Sequence, residues 1–261
     1  MHAALWVSKT GLTAQDTQLA TISNNLANAS TTGFKRDRVV FEDLLYQIQR
    51  QPGAQSSENT LVPTGLQVGT GVRVSSTQKQ FSTGSIQVTE QPLDLAINGR
   101  GFFQVLLPDG NVAYTRNGEF ALSADGDLVN SEGLLLQPGI AIPQNTLSVT
   151  VSRDGIVSAL VQGSSTPTVA GNIQLADFIN PAGLQAIGAN LFLETASSGA
   201  VNQGTPDTNG FGTMVQGSIE NSNVNIVEEL VNMITAQRTY EMNSKVIQTV
   251  DQMLQFVSQN I

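Results

Sequence analysis

Residues 24–36 read NNLANASTTGFKR, and the glycine, lysine and threonines in this polar stretch are the residue types of a phosphate-binding loop. Such a loop needs four residues between two glycines, with Lys and then Ser or Thr directly after the second glycine. Here Gly33 is followed by Phe34, and no glycine precedes Gly33 at the required distance. The stretch therefore does not predict a nucleotide site.

Pairs of carboxylates are the next candidates for chemistry. Asp125 and Asp127 share one turn, and Glu90 and Asp94 are close in sequence. Two carboxylates facing each other across a cleft would suit a glycosidase, but acidic residues beside Asp-Gly turns are expected for conformational reasons alone. The Asp125–Asp127 turn is also too short for a calcium loop, which needs further ligands and a distal Glu. We therefore assign no catalytic residue.

Composition excludes several further kinds of site. The chain has 261 residues, no cysteine and a single histidine, His2, which rules out thiolate catalysis, Cys-ligated zinc and a histidine-based triad. The formal net charge of −9 argues against broad contact with nucleic acid or anionic lipid, since both need clustered basic residues. No apolar window is long enough to span a membrane. The sequence thus predicts no enzyme, no cofactor and no metal ion.

Proline and glycine separate two helical ends from the middle of the chain. All nine prolines fall between Pro52 and Pro206, and Gly11 is the single glycine before Gly33. Apolar residues at both ends recur every seven residues, the spacing of a coiled-coil seam. We expect the C-terminal helix to begin at Asn225, with Glu228 completing a capping box. The predicted assembly residues on the two helices are Leu5, Leu12, Leu19, Ile22, Leu26, Ile226, Met233, Tyr240, Ile247, Val250, Leu254, Val257 and Ile261.

The middle of the chain predicts short antiparallel strands. Asp-Gly and Asn-Gly dipeptides recur there as tight-turn signals, and segments 102–107 and 112–116 flank the clearest hairpin, at Asp109-Gly110. Segment 39–51 fits a strand and a helix about equally. The predicted class is α+β: an N-terminal helix over 1–32, a hinge and extended segment over 33–75, a β domain over 76–217 and a C-terminal helix over 218–261 that pairs with the first.

Four segments of the chain resemble the bacterial flagellar rod and hook proteins: SNNLANASTTGFKR, GRGFFQV, YTRNGEFALSADGDLV and the run from Ser222 to Leu254. Together they extend nearly from end to end. Segments 5–12 and 41–58 resemble the distal-rod members of that family, whereas proximal-rod and hook members differ across the second segment. One departure is Ala29-Ser30, which stands where many relatives have Val-Asn.

The resemblance implies a non-enzymatic subunit of the flagellar distal rod, assembled as a helical tube that transmits torque from motor to hook. It implies export without a cleaved signal peptide, and a place in the rod that spans the periplasm. The implied partners are further copies, proximal-rod and hook subunits, basal-body ring proteins and the flagellar export apparatus. A proximal-rod or hook-type subunit, or a cell-wall glycan hydrolase or glycan-binding module, stays the alternative.

The opening stretch then predicts a hinge between inner helix and outer domain. Its Asn and Thr side chains compete with the helical backbone for hydrogen bonds, and its glycine suits the left-handed conformation past a helix end. The lysine that follows would lie near the negative end of the helix dipole. The hinge residues are Asn24, Asn25, Asn28, Thr32, Gly33, Phe34 and Lys35.

Overall fold

The computed structural model describes residues 2–53, 55–57, 60–61, 63–164 and 166–259. The chain divides into two compact units. Unit 1 comprises Met1–Ala27, Asp37–Gln78 and Asn225–Ile261, and unit 2 comprises Asn28–Arg36 and Lys79–Val224. The chain therefore passes between the units four times, and the short segment 28–36 belongs to unit 2 rather than to the unit that contains the first helix.

Unit 1 contains two long helices, α1 (His2–Ala27) and α2 (Ile226–Gln259). Asn225 is the predicted N-cap of α2, because its Oδ1 accepts hydrogen bonds from the backbone N–H groups of Val227 at 3.1 Å and Glu228 at 3.3 Å. This is the N-cap arrangement that satisfies amides without an intrahelical partner. The helix therefore begins at Ile226, and the segment 218–224, which the predicted C-terminal helix included, precedes it. The first helix ends at Ala27, where the polar stretch begins to make turns.

Short two-stranded ribbons accompany these helices. The strands of unit 1 are β1 (Asp37–Asp43), β2 (Tyr46–Arg50), β3 (Gln55–Ser57), β4 (Thr60–Leu61), β5 (Leu66–Gly69) and β6 (Val72–Lys79). They pair as β1 with β6, β2 with β5 and β3 with β4. Segment 39–51 is therefore extended rather than helical, because a partner strand lies within the next thirty or so residues.

The regular secondary structure of unit 2 consists almost entirely of strands, as the turn signals predicted. In chain order they are β7 (Ile86–Val88), β8 (Leu95–Asn98), β9 (Phe103–Leu106), β10 (Val112–Thr115), β11 (Phe120–Leu122), β12 (Leu128–Asn130), β13 (Leu135–Gln137), β14 (Thr146–Val151), β15 (Ile156–Val161), β16 (Thr168–Asn172), β17 (Leu175–Asp177), β18 (Gln185–Gly188), β19 (Leu191–Leu193), β20 (Asn202–Gly204), β21 (Thr213–Gln216) and β22 (Ser218–Glu220), with a 3₁₀ turn at Pro181–Gly183.

The largest sheet has the order β11-β12-β13-β9-β10-β19-β18. A three-stranded sheet runs β14-β15-β16, and β17 with β20, β8 with β21 and β7 with β22 form pairs. The predicted hairpin is confirmed as β9 and β10, which pair antiparallel with Phe103 opposite Thr115. Two terminal helices and a domain of short antiparallel strands confirm the predicted α+β class.

The main core of unit 2 forms where these sheets face each other. Leu95, Ile97 and Phe103 are almost completely buried there, together with residues of β13 and β15. A second cluster holds the aromatic rings of Phe102 and Phe178 among others. The packing leaves no room at Gly118, where an added Cβ would lie 1.6 Å from the carbonyl oxygen of Leu95.

We expect Gly118→Ala to lower the free energy of unfolding of the chain by about 3 kcal/mol or more, because a backbone segment of the core must move to admit the methyl group. Gly139→Ala is the matched control, since nothing lies within 4 Å of an added Cβ at that position. Urea unfolding followed by circular dichroism measures both. Equal stability of the two variants would contradict the close approach.

Candidate assembly site

The two helices of unit 1 pack against each other along a seam of small and polar residues. On α2 the buried positions recur every seven residues, with Glu229, Ala236 and Val250 buried and Asn243 half-buried. The helices come close at Gly11, where an added Cβ would lie 3.3 Å from Asn243 Nδ2. On α1 the side chains of Ser8, Ala14, Ile22 and Asn25 are buried.

The predicted assembly residues are therefore divided among three environments. Ile22 and Val250 are buried within one copy of the chain, whereas Ile226 and Tyr240 are exposed. The side chain of Val257 and the whole of Ile261 lie outside the described residues. The remaining predicted assembly residues are half-buried beside the seam between the helices: Leu5, Leu12, Leu19, Leu26, Met233, Ile247 and Leu254.

A second apolar face of α2 is left open to solvent. Spacings of three, four, seven or eight residues keep its members on one side of the helix, and the centre of this side is turned away from the buried positions by more than a quarter of a turn. We call this set the α2 stripe; its exposed members are Val227, Val231, Ile234, Met242, Val246, Met253 and Phe256. Part of it forms a shallow groove of about 330 Å³. Exposed apolar surface of this kind marks a contact with another molecule.

The polar stretch after α1 contributes side chains to both units. In unit 1, Asn25 is buried. Its Nδ2 donates hydrogen bonds to the carbonyl of Asp37 at 2.8 Å and to Glu229 Oε2 at 3.3 Å. Its Oδ1 accepts a hydrogen bond from the Asp37 N–H. Asn24 is exposed. This asparagine pair thus lies within the last turn of the helix, and Asn25 attaches that turn to β1 and α2.

In unit 2 the same stretch folds into a tight turn. Asn28 accepts a hydrogen bond from Thr31, and Thr32 Oγ1 donates to Glu119 at 3.0 Å. Gly33 has the predicted left-handed conformation, with φ of 71°, and an added Cβ would lie 2.6 Å from the amide nitrogen of Asn117. Phe34, like Gly33, is buried.

A buried ion network lies next to this turn. The Lys35 ammonium is 2.6 Å from Glu220 Oε1, and the Arg116 guanidinium is 2.8 Å from Glu220 Oε2. The backbone N–H of Gly84 also donates to Glu220. Lys35 donates further to the carbonyl of Ser82 at 2.8 Å. We call Lys35, Arg116 and Glu220 the Glu220 network.

This environment differs from the one that the sequence predicted for Lys35. The sequence placed this lysine near the dipole of α1, whereas its ammonium is fully enclosed within unit 2. Burial lowers the pKa of Lys35, and the attraction of Glu220 opposes this effect, while the nearby Arg116 charge lowers the pKa further. The prediction was wrong because a partner 185 positions away in the chain provides the compensating charge.

Sequence reasoning missed the residues that join segments 33–36, 80–84 and 220–223 within unit 2. Besides Glu220 and Arg116, Asn223 accepts from the Arg36 N–H at 2.7 Å and donates to the carbonyl of Gln80 at 2.8 Å. The one available signal was Arg116 itself, a cation next to an apolar hairpin strand. Nothing in the local pattern identified its partner.

The carboxylates that suggested chemistry lie in turns or beside strands of unit 2. Asp125 is exposed, and Asp94 accepts a hydrogen bond from Thr89. Among the described residues, no group of three or more His, Cys, Asp or Glu side chains could hold a metal ion. Within those same residues, neither helix combines the length and the apolar character needed to cross a bilayer.

Comparison with known proteins decides which family has this arrangement. Residues 5–35 match the model "Flagella basal body rod protein", residues 96–159 match "Flagellar hook protein FlgE/F/G D1 domain" and residues 215–260 match "Flagellar basal body rod FlgEFG protein C-terminal". The chain belongs to the flagellar basal-body rod protein family. The matched regions contain α1 with its polar turn, the central hairpin with Arg116, and α2 with Glu220.

Relatives in this family are similar over their full length. "Flagellar basal-body rod protein FlgG" of Buchnera aphidicola subsp. Schizaphis graminum is 54% identical over 259 residues, covering 99% of this chain and 100% of that protein. The protein of the same name from Caulobacter vibrioides is 50% identical, with 98% of each chain covered. That of Bacillus subtilis is 38% identical over 98% of this chain and 97% of its own.

We expect Glu220→Gln to lower the free energy of unfolding by about 3–5 kcal/mol, because it leaves two buried cations without their counter-charge. Glu42→Gln removes a similar ion pair, with Arg73, at an exposed position of unit 1 and is the control; it should leave stability nearly unchanged. Urea unfolding gives both values, and hydrogen exchange at residues 31–36 localises the loss. A near-neutral Glu220→Gln would rule out this role for the Glu220 network.

Proposed function

We propose that this chain is a structural subunit of the flagellar distal rod, which polymerises into a helical tube and transmits torque from the motor to the hook. The observation that carries the proposal is the α2 stripe, an apolar helix face that a single copy leaves in water. Because the chain belongs to a family of basal-body rod proteins, we infer that further copies of the chain cover that face. The partners at the two ends of the polymer are proximal-rod and hook subunits, and ring proteins surround it.

Polymerisation follows from contacts between different surfaces of neighbouring copies. Such contacts generate an open helical filament when the rotation between copies does not close into a ring. The half-buried residues on both helices, among them Leu12, Leu19 and Ile247, complete their burial in this arrangement. The subunits reach the assembly through the flagellar export apparatus, and the rod lies in the periplasm-spanning part of the basal body.

The turn after α1 is proposed as a joint between the helical and the β unit. Asn25 belongs to unit 1, whereas Thr32, Gly33 and Lys35 belong to unit 2, so bending there takes place where the chain passes from one unit to the other. The Glu220 network holds segments 33–36, 82–84 and 220 together within unit 2. A mechanical load transmitted through one of these three segments is thereby shared with the other two.

Segment 41–71 is proposed as a brace between neighbouring subunits. Strands β2 and β5 form a two-stranded ribbon, with Tyr46 opposite Gly69 and Ile48 opposite Gln67. Two-stranded ribbons are marginal in water unless another surface covers them. Leu45 is 88% exposed and Leu66 is also exposed, so the ribbon offers apolar side chains to a neighbour.

We expect Val231→Asp and Ile234→Asp to raise the critical concentration for polymerisation at least about tenfold, because each would bury an unpaired carboxylate in the assembled contact. Helix content of the monomer should stay unchanged, since both side chains are exposed. Gln237→Asp is the matched control, because it adds the same charge at an exposed position off the stripe. Sedimentation and electron microscopy measure assembly; equal effects of all three substitutions would refute the stripe as an interface.

We expect replacement of residues 46–69 by a two-residue turn to lower the bending stiffness of the polymer. The splice is feasible because Thr70 Oγ1 donates to the carbonyl of Leu45 at 2.6 Å. A second variant, Ile48→Ser with Leu66→Ser, keeps the ribbon and removes its apolar side chains. Persistence length measured on electron micrographs tests both, and an unchanged stiffness in the deletion variant would show that the segment is no brace.

A further inference from the structure

Unit 2 displays one isoleucine almost completely in water. Ile179 is 90% exposed, although the residue before it, Phe178, is buried. Phe178 anchors the turn through edge-on contacts with the rings of Tyr114, at 4.8 Å between centroids, and Phe102, at 6.0 Å. On the other side Asn180 Nδ2 donates to the carbonyl of Ser197 at 3.0 Å. The isoleucine is thus held out on a well-anchored turn instead of on a loose loop.

The same unit contains an apolar groove of about 460 Å³. Leu93 and Val149 line it and pack on the main core, and Leu122 and Leu147 are exposed beside them. Leu147 points outward because the register of β14 shifts between Thr146 and Ser148. No residue that carries a charge is among the described residues that line the groove.

The groove suits an inserted side chain better than an added strand. Strand β14 is the outermost strand of its sheet, and an outermost strand normally accepts a new strand through its free backbone groups. Here the side chain of Gln216 occupies two of those groups: it accepts from the Val151 N–H at 3.0 Å and donates to the carbonyl of Val149 at 2.9 Å. Backbone pairing along that edge is therefore blocked.

Charge restricts the places at which a second copy of the chain can dock. Between residues 117 and 219 the chain has one basic residue, Arg153, and eight acidic ones. Two such surfaces repel each other unless they meet where both are neutral. The groove is uncharged, and Ile179 is followed by the neutral residues Asn180, Pro181 and Ala182. An apolar contact at these two places brings acidic units together without opposing like charges at its centre.

Each copy can use both surfaces at once. Ile179 follows the second core cluster of unit 2, which contains Phe102 and Phe178, whereas the groove borders the main core at Leu93 and Val149. A projection on one part of a molecule and a complementary pocket on another part produce a heterologous contact that repeats from copy to copy without closing. This is the geometry that a helical polymer requires.

We propose that Ile179 of one copy inserts into the groove beside Leu122 and Leu147 of the next copy, as a contact between the β units of neighbouring subunits. The proposal rests on the proposed function, since it names one of the contacts that build the polymer. It identifies both halves of the contact by residue.

Cross-linking of the full-length chain tests the contact directly. The chain contains no cysteine, so Ile179→Cys combined with Leu147→Cys provides the only two thiols for a short bis-maleimide linker. We expect a ladder of covalent dimers, trimers and longer products at concentrations where the protein assembles. The control pair is Val169→Cys with Leu147→Cys, because Val169 is likewise exposed, at 67%, and each single-cysteine variant should stop at the dimer.

The outcomes separate this proposal from the proposed function. Tubes in the electron microscope without a ladder above the control pair would overturn the Ile179 contact and leave the rod function standing. A ladder without tubes would support the contact and count against rod assembly. Neither a ladder nor tubes would contradict both. Ile179→Asp should in addition raise the critical concentration at least about fivefold relative to Val169→Asp, and equal values would also overturn the contact.

Discussion

Glu220 places a carboxylate where no water reaches it, and three passages of the chain supply the groups that stabilise it. Lys35 comes from the turn after α1, Arg116 from the segment after β10 and the Gly84 N–H from the segment before β7. A buried charge with one partner missing is costly, so these segments are strongly favoured to be ordered together. One ion network therefore ties together segments of unit 2 that are far apart in the sequence.

Unit 1 depends on a different constraint, the narrow seam between its helices. Gly11, Ala14 and Ala236 let the helices approach closely, but small side chains bury little apolar area. The larger apolar residues are left beside the seam or on the opposite face. A single copy therefore leaves part of the apolar side chains of its own helices in water. The proposed polymer would bury them.

Much of the fold was predictable from local patterns. The N-cap at Asn225, the left-handed Gly33 and the hairpin at Asp109-Gly110 each depend on a few adjacent residues, and the structure confirms all three. The surroundings of Lys35 were predicted wrongly, and Glu220 was missed, because their pairing joins residues 185 positions apart. Segment 39–51 was ambiguous for the same reason, since its partner strands, and not its own pattern, decide its conformation.

The amino-acid sequence by itself determined that both ends of the chain are helical and that its middle forms strands. It also determined which chemistry a chain with no cysteine and one histidine lacks, and which family the chain resembles. Those properties follow from residue type and short-range spacing. Only the tertiary structure decided which side of the heptad pattern is buried, which lysine is enclosed and where an isoleucine is left in water. Burial is a property of residues brought together from distant parts of the chain, and a seven-residue spacing is the same whether its side chains face the same copy or the next one.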